Sequence, residues 1–231
     1  MLFLFIICAT VASCLGVLWA LAAPLPKRLE AFVVALSGGA LLIAAVLELI
    51  QPVLAQHSSP IGAFLALGAG GVLYSVVLVA LERCRWTDQA GTIGTTTLLN
   101  GIPENLAVGI TLIGHSSLHI TGLIGSILLA NIPEAAGASK ELRERGYCRG
   151  QIIRIWGMIL TALAAATVVG HYGFSSANPQ VLGYLRCFAA GAIISSLAVD
   201  VFPKAFNADH RLTGIATVLG VVLALALNRA G

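Results

Sequence analysis

The stretch Leu98-Leu99-Asn100-Gly101-Ile102-Pro103-Glu104 returns 30 residues later as Leu128-Leu129-Ala130-Asn131-Ile132-Pro133-Glu134. Each copy sets an amide, a proline and a carboxylate inside a long apolar run. A carboxylate in a membrane helix is costly, so it usually faces a bundle interior or a water-filled path, often with a partner. Two of them, each on a helix disturbed by proline, predict the two halves of one cation site.

The composition makes a lipid bilayer the solvent of this chain. Of its 231 residues, 58% are apolar and 10% are charged, and the mean hydropathy is +0.94. A soluble domain carries about 25% charged residues. At about 20 residues per membrane helix, the chain holds about eight spans, so we expect a single transmembrane domain over 1–231. The net charge of +3 is small, and no nucleic-acid partner is expected.

The N-terminal apolar run has two interpretations. The tetrapeptide Val11-Ala12-Ser13-Cys14 could pass for a lipoprotein cleavage site. A signal peptide, however, starts with basic residues and has a shorter apolar core. No Lys or Arg precedes this run, which continues to Ala23, so we expect an uncleaved first helix. The five cysteines are scattered singly, without the spacing of a metal or disulfide motif, and we interpret them as packing thiols.

Apolar runs separated by polar breaks predict an all-α membrane protein with eight helices. The predicted ranges are 2–23, 30–54, 60–81, 91–113, 119–139, 151–170, 181–202 and 212–228. Lys and Arg concentrate in the first, third, fifth and seventh breaks and are missing from the second, fourth and sixth. Because positive loops stay cytoplasmic, both termini are expected outside.

Internal repeats predict an inverted architecture. Gly39-Ala40-Leu41-Leu42 in helix two aligns with Gly191-Ala192-Ile193-Ile194 in helix seven, and the same offset pairs Glu48 with Asp200. Helices two and seven would cross the membrane in opposite directions. Inverted repeats with broken, polar helices near the midplane are typical of transporters.

Apart from Glu30, the first residue of the second span, the acids within the predicted spans are Glu48, Glu104, Glu134 and Asp200. Asn100 precedes Glu104 by four residues, so the two share a helix face. Asn131 and Glu134, three residues apart, do so too. Each proline also leaves the carbonyl four residues before it without a donor. This oxygen-rich set suits a divalent cation, whose charge two carboxylates neutralise.

Depth in the membrane assigns roles to the other two acids. Glu48 would lie towards the outer mouth and Asp200 towards the inner mouth, as entry and exit groups. Solvation at helix ends is the alternative for both, because ends tolerate charge better than the centre. The alternative for Glu104 and Glu134 is a buried protonated pair that holds the bundle together. The prolines and the duplicated motif favour the cation site.

At these residues the chain resembles the ZIP (zinc/iron-regulated transporter-like) family of divalent metal transporters. Both stretches match, at Pro and Glu, the H-N-x-P-E-G type motif of the family's helix four and its partner on helix five. The run Asp200-Val201-Phe202-Pro203 resembles the family's helix seven. The resemblance implies eight helices, both termini outside, no enzymatic activity, and zinc, iron or manganese carried towards the cytoplasm.

Departures from the family concern the metal ligands. Asn100 stands where histidine is usual, Ala130 where His or Gln is usual, and Leu160 where helix six often supplies a glutamate. We therefore expect a single oxygen-rich site, built on the two glutamates and assisted by Asn100 and Asn131. Zinc binding should be weak, and Asn100→His should tighten it, because imidazole is a good zinc ligand.

The resemblance also implies a multi-pass protein of the cell membrane, which in a bacterium is the inner membrane. Its partners would be the metal ion and the lipid bilayer, with a homodimer left open. One alternative function is a metal-binding membrane sensor or a transport-inactive paralogue. Another is an intramembrane hydrolase, which needs a metal with an open water position and a general base. No HExxH pair is present for that chemistry.

Overall fold

The computed structural model describes residues 1–22, 26–55, 60–84, 89–113 and 121–230, and within these ranges it contains helices and no strand. The helices are α1 (Leu2–Ala22), α2 (Lys27–Ala55), α3 (Pro60–Cys84), α4 (Gln89–Thr111), α5 (Thr121–Glu144), α6 (Arg149–Gly173), α7 (Pro179–Ala208) and α8 (His210–Ala230). Over these ranges the predicted all-α fold with eight helices is confirmed.

Six of the helices, α1, α2, α3, α6, α7 and α8, are long and apolar enough to cross a membrane. The other two, α4 and α5, have 23 and 24 residues, and they carry the repeated motif. Their threonines, glycines and motif residues lower their hydropathy. Val108 and Ile110 of α4 and Leu123 and Ile127 of α5 are fully buried, so these helices pack against protein on these faces. A helix enclosed by other helices needs less apolar surface than one facing lipid.

Helices α5 and α7 continue past their predicted ends at 139 and 202. The added turns of α5 are charged, and Lys140 in them pairs with Glu30 of α2 at 2.8 Å. Hydropathy marks where apolar surface ends, whereas these helices continue into polar surroundings. The position of Lys204 changes as a result, because it lies inside α7 and not in a loop.

The helices pack in four long pairs: α1 with α5, α4 with α6, α2 with α8, and α3 with α7. Two bundles follow, one of α1, α4, α5 and α6 and one of α2, α3, α7 and α8. They meet chiefly where α2 packs on α5 and α4 packs on α7. The four pairs have an internal symmetry. The same set of pairs results when these helices are exchanged: α1 with α6, α2 with α7, α3 with α8, and α4 with α5. This packing agrees with the sequence repeat between helices two and seven.

Glycines let the paired helices touch backbone to backbone. A Cβ atom on Gly39 of α2 would overlap the carbonyl oxygen of Thr217 in α8. A Cβ atom on Gly191 of α7 would likewise overlap the carbonyl oxygen of Leu67 in α3. The two glycines occupy aligned positions of the repeat. In lipid no hydrophobic force drives helices together, so small residues at such crossings help by allowing close backbone packing.

We expect Gly70→Val to destabilise the protein, because a Cβ there would overlap the Phe188 carbonyl across the α3–α7 crossing. Overpacking of this kind costs about 1–3 kcal/mol. Gly68→Val on the same helix is the matched control, since a Cβ at Gly68 would have no neighbour within 4 Å. Thermal unfolding in detergent should lower the midpoint for Gly70→Val only. Equal midpoints for the two variants would contradict the close crossing.

Two helices widen at matching positions. A π-helical turn occupies Ala45–Ile50 in α2, and another occupies Leu197–Val201 in α7. A proline follows each turn by two residues, and its missing N–H interrupts the i→i−4 hydrogen bonds. Glu48 and Asp200 lie inside these turns. Single π turns in α-helices are frequent at functional sites.

Candidate functional site

Three of the predicted acids line one cavity between the two bundles. Glu104 comes from α4, Glu134 from α5 and Asp200 from α7, and the volume is about 50 Å³. The apolar part of the wall comprises Val34, Leu41, Ala130, Pro133, Leu197 and Val201. We call this space the carboxylate cavity. The repeated motif contributes one acid from each of its copies, as the sequence predicts.

The two glutamates differ in what the structure shows of their surroundings. Glu104 is 5% exposed. The Oε1 atom of Glu134 is buried and has no hydrogen-bond partner among the residues that the structure describes. A buried acceptor left unpaired costs about 1–3 kcal/mol, and more when it is charged. Such an oxygen is a natural ligand for a cation or a site for a proton.

Asn100 orients Asp200. Its Nδ2 donates to Oδ2 of Asp200 at 2.8 Å. Its Oδ1 accepts from the Tyr74 hydroxyl at 2.6 Å and from the Ser196 hydroxyl at 2.9 Å. A carboxylate only accepts, so the amide nitrogen must face Asp200. The amide oxygen, predicted to assist the metal, is therefore taken up by two hydroxyl donors from α3 and α7.

Asn131 lies apart from the carboxylates. It lines a second small pocket with Thr10, Ser13 and Asn105, between α1, α4, α5 and α6. Residues three apart are separated by about 60° around a helix. Glu134 thus faces α2 and α7, whereas Asn131 faces α1 and α6. This placement disagrees with the prediction that Asn131 assists Glu134.

Glu48 also lies outside the carboxylate cavity. It is 4% exposed, and its Oε1 accepts the backbone N–H of Leu123 at 2.8 Å. Leu123 belongs to the first turn of α5, whose N–H groups lack partners within the helix. A carboxylate is also favourable at this positive end of the helix dipole. The structure thus gives Glu48 a capping contact that joins α2 to α5, where the sequence predicted an entry group.

A larger cavity of about 480 Å³ adjoins the first, and we call it the vestibule. Four residues line both spaces: Asn100, Glu134, Asp200 and Lys204. The rest of the vestibule wall comes from the start of α4 and the ends of α5 and α7 and includes Thr96, Thr97, Glu141, Arg145 and Asn207. Glu134 and Asp200 therefore stand at the boundary between the narrow and the wide space.

Apolar side chains fill the opposite side of the carboxylate cavity. Leu41 and Leu197, which line it, belong to a buried cluster that extends towards the start of α5. The cluster includes Leu49, Leu123, Ile127 and Ile193. Access to the carboxylate cavity is therefore asymmetric. The vestibule side is wide and polar, and the other side is packed with apolar side chains.

Lys204 and Tyr74 belong to the site and were missed from the sequence. Lys204 follows Asp200 by four residues on α7, which puts both on one helix face. This spacing was the available signal, but the lysine was assigned to a loop. No local pattern marks Tyr74, whose hydroxyl reaches Asn100 from another helix.

Over the described ranges, no group of three His, Cys, Asp or Glu side chains is close enough together to hold a metal ion. The three carboxylates share a cavity without forming a ligand shell. The chain matches no protein-family model and no curated protein. The site itself therefore carries the functional argument: buried carboxylates beside a polar vestibule, at the contact between two bundles.

Proposed function

We propose that the protein transports a divalent metal cation across a membrane through the carboxylate cavity. The observation that carries this proposal is the buried, unpaired Oε1 of Glu134, in a cavity shared with Glu104 and Asp200. Two carboxylates neutralise one divalent cation, and the third, at the vestibule, offers the next site along the path. Oxygen ligands suit Mn²⁺ in particular, and Zn²⁺ and Fe²⁺ also accept carboxylates.

The proposed topology has eight spans, with α4 and α5 in the centre and both termini outside. Two independent features support it: Lys and Arg occur in alternate loops, and the helix pairs exchange under an internal symmetry. The ends of α5 and α7 that line the vestibule lie on the side with positive loops. The vestibule would then open to the cytoplasm of a cell-membrane protein, and the apolar cluster would close the outer side.

Labelling of single cysteines tests this topology. A variant that keeps only the native, exposed Cys148, just before α6, should react with an impermeant maleimide only after permeabilisation. A cysteine-free variant carrying Ser176→Cys, between α6 and α7, should react in intact cells, because positively charged loops stay inside. The reverse pattern would overturn the proposed direction.

Flux into proteoliposomes tests the function. We expect Mn²⁺ and Zn²⁺ to enter vesicles loaded with a fluorescent chelator, and vesicles without protein to serve as the baseline. The second candidate function is a metal-binding membrane protein without transport. The apolar cluster that closes the outer side of the carboxylate cavity favours that candidate, because wide access lies on the vestibule side. Binding without flux in the same vesicles would identify it. The absence of both binding and flux would end both proposals.

A further inference from the structure

Lys204 is the one cationic residue among those that line the carboxylate cavity. Its side chain is exposed at the boundary with the vestibule. The ion pairs formed among the described residues, all within 4.0 Å, do not include it. A single ammonium thus stands beside three carboxylates without being fixed to any of them.

We propose that Lys204 is a tethered cation that competes with the divalent metal for the carboxylate cavity. This inference rests on the proposed function and names the residue that sets metal affinity there. Without metal, the ammonium compensates the carboxylates. With metal bound, it is repelled towards the vestibule, and its return would favour release of the metal on that side.

A further acid, Glu30 of α2, also lies near the ammonium, beside Gly137 of α5. The position of a Cβ atom on Gly137 of α5 lies 3.2 Å from Nζ of Lys204 and 3.1 Å from Oε1 of Glu30. Both charged atoms therefore lie next to the same glycine. Glu30 itself pairs with Lys140 at 2.8 Å. The flexible four-carbon stem of a lysine allows its charge to shift between such neighbours.

Repulsion between the ammonium and a divalent ion means that Lys204 lowers the metal affinity of the cavity. Coulomb energy scales with the product of the charges and grows as the local dielectric falls. At equal distance and in the same dielectric, the ammonium acts on a divalent ion twice as strongly as on a single carboxylate charge. Neutralising Lys204 should therefore raise metal affinity.

The test is a titration of the full-length protein in detergent with Mn²⁺ at pH 8, followed by the loss of the free Mn²⁺ signal in electron paramagnetic resonance. We expect Lys204→Gln to bind Mn²⁺ about tenfold more tightly than wild type, since removing Coulomb repulsion between close charges is large enough for such a factor. Lys204→Arg keeps the charge and should stay within about twofold of wild type by the same reasoning. Lys27→Gln removes an exposed lysine at the start of α2 and controls for net charge.

Each outcome decides the inference. Tighter binding in Lys204→Gln alone supports it. Binding in Lys204→Gln but none in wild type also supports it, while overturning transport by the native chain. Equal or weaker binding in a Lys204→Gln variant with an unchanged melting temperature overturns the inference and leaves the proposed function standing. Absence of binding in every variant overturns both.

Discussion

Glu134→Gln is expected to remove most divalent-metal flux while leaving the protein folded. Glutamine keeps the size of the side chain and its hydrogen-bonding ability but removes one of the charges that neutralise the metal. In surroundings of low dielectric, losing that charge weakens binding strongly. We expect flux to fall at least about tenfold, since a change of 1.4 kcal/mol in transition-state energy already gives that factor.

Glu104→Gln should behave in the same way, and the double variant should be little worse than either single one. Residues that act as one unit give effects that do not add. Protein yield and melting temperature should stay near wild type, because a neutral amide is cheaper to bury than a carboxylate. Flux is measured with Mn²⁺ in proteoliposomes, on the monodisperse fraction.

Glu144→Gln is the matched control for these variants. Glu144 is exposed at the end of α5, ten residues after Glu134, and does not line the carboxylate cavity. Metal flux through the Glu144→Gln variant should equal that of wild type. If the two glutamates are instead a protonated pair that holds the bundle, flux and stability would fall together or neither would change. Wild-type flux in both cavity variants would end the metal-site proposal.

Asn100→Ala is the second substitution with a large expected effect. It leaves the hydroxyls of Tyr74 and Ser196 without their acceptor and Asp200 without its donor. Each buried group that loses its partner costs about 1–3 kcal/mol, although relaxation and water recover part of this. We expect the melting temperature to fall clearly and flux to fall with it, as Asp200 loses its fixed orientation.

Tyr74→Phe is the graded comparison for Asn100→Ala. It removes one of the two donors to the amide oxygen and leaves the bond from Asn100 to Asp200 in place. The loss should be about 1 kcal/mol, the value of one ordinary hydrogen bond. Calorimetry of the purified variants measures both effects. Equal stability of Asn100→Ala and wild type would mean that the network does not hold Asp200.

The geometry also changes the expectation for Asn100→His. The sequence suggested that imidazole would restore a zinc ligand. A neutral imidazole has one acceptor nitrogen, so it cannot accept from both Tyr74 and Ser196 while donating to Asp200. We now expect this variant to lose stability and to gain no zinc affinity.

Local patterns predicted the helices and the acids well, for a physical reason. Apolar runs of spanning length fix where helices lie, and the cost of a buried carboxylate singles out residues such as Glu104 and Glu134. Helix α4 was predicted in the same way as the others, from the apolar run that contains its motif. Three of the four predicted acids come together in one cavity, although the sequence alone could not order them in space.

Two contacts that could not be predicted from the sequence join distant residues. The cap that Glu48 provides for Leu123 spans 75 positions, and the bond from Asn100 to Asp200 spans 100. Local periodicity contains no information on such partners. The π turns could not be predicted for another reason. The repeat aligned Glu48 with Asp200, and a proline follows each turn by two residues. A proline indicates that helical hydrogen bonds are interrupted, but not that the helix widens into a π turn.

The low hydropathy of α4 and α5 has a consequence for how the chain enters a membrane during synthesis. Each polar helix would be unfavourable alone in lipid and must be sheltered by its partner. The partner of α5 is α1, which is made earlier, whereas the partner of α4 is α6, which is made later. In the proposed eight-span topology, helix α4 would therefore wait at the translocon or at the bilayer surface until α6 emerges. Nascent chains arrested before α6 should leave α4 open to proteases, and chains arrested after α6 should protect it.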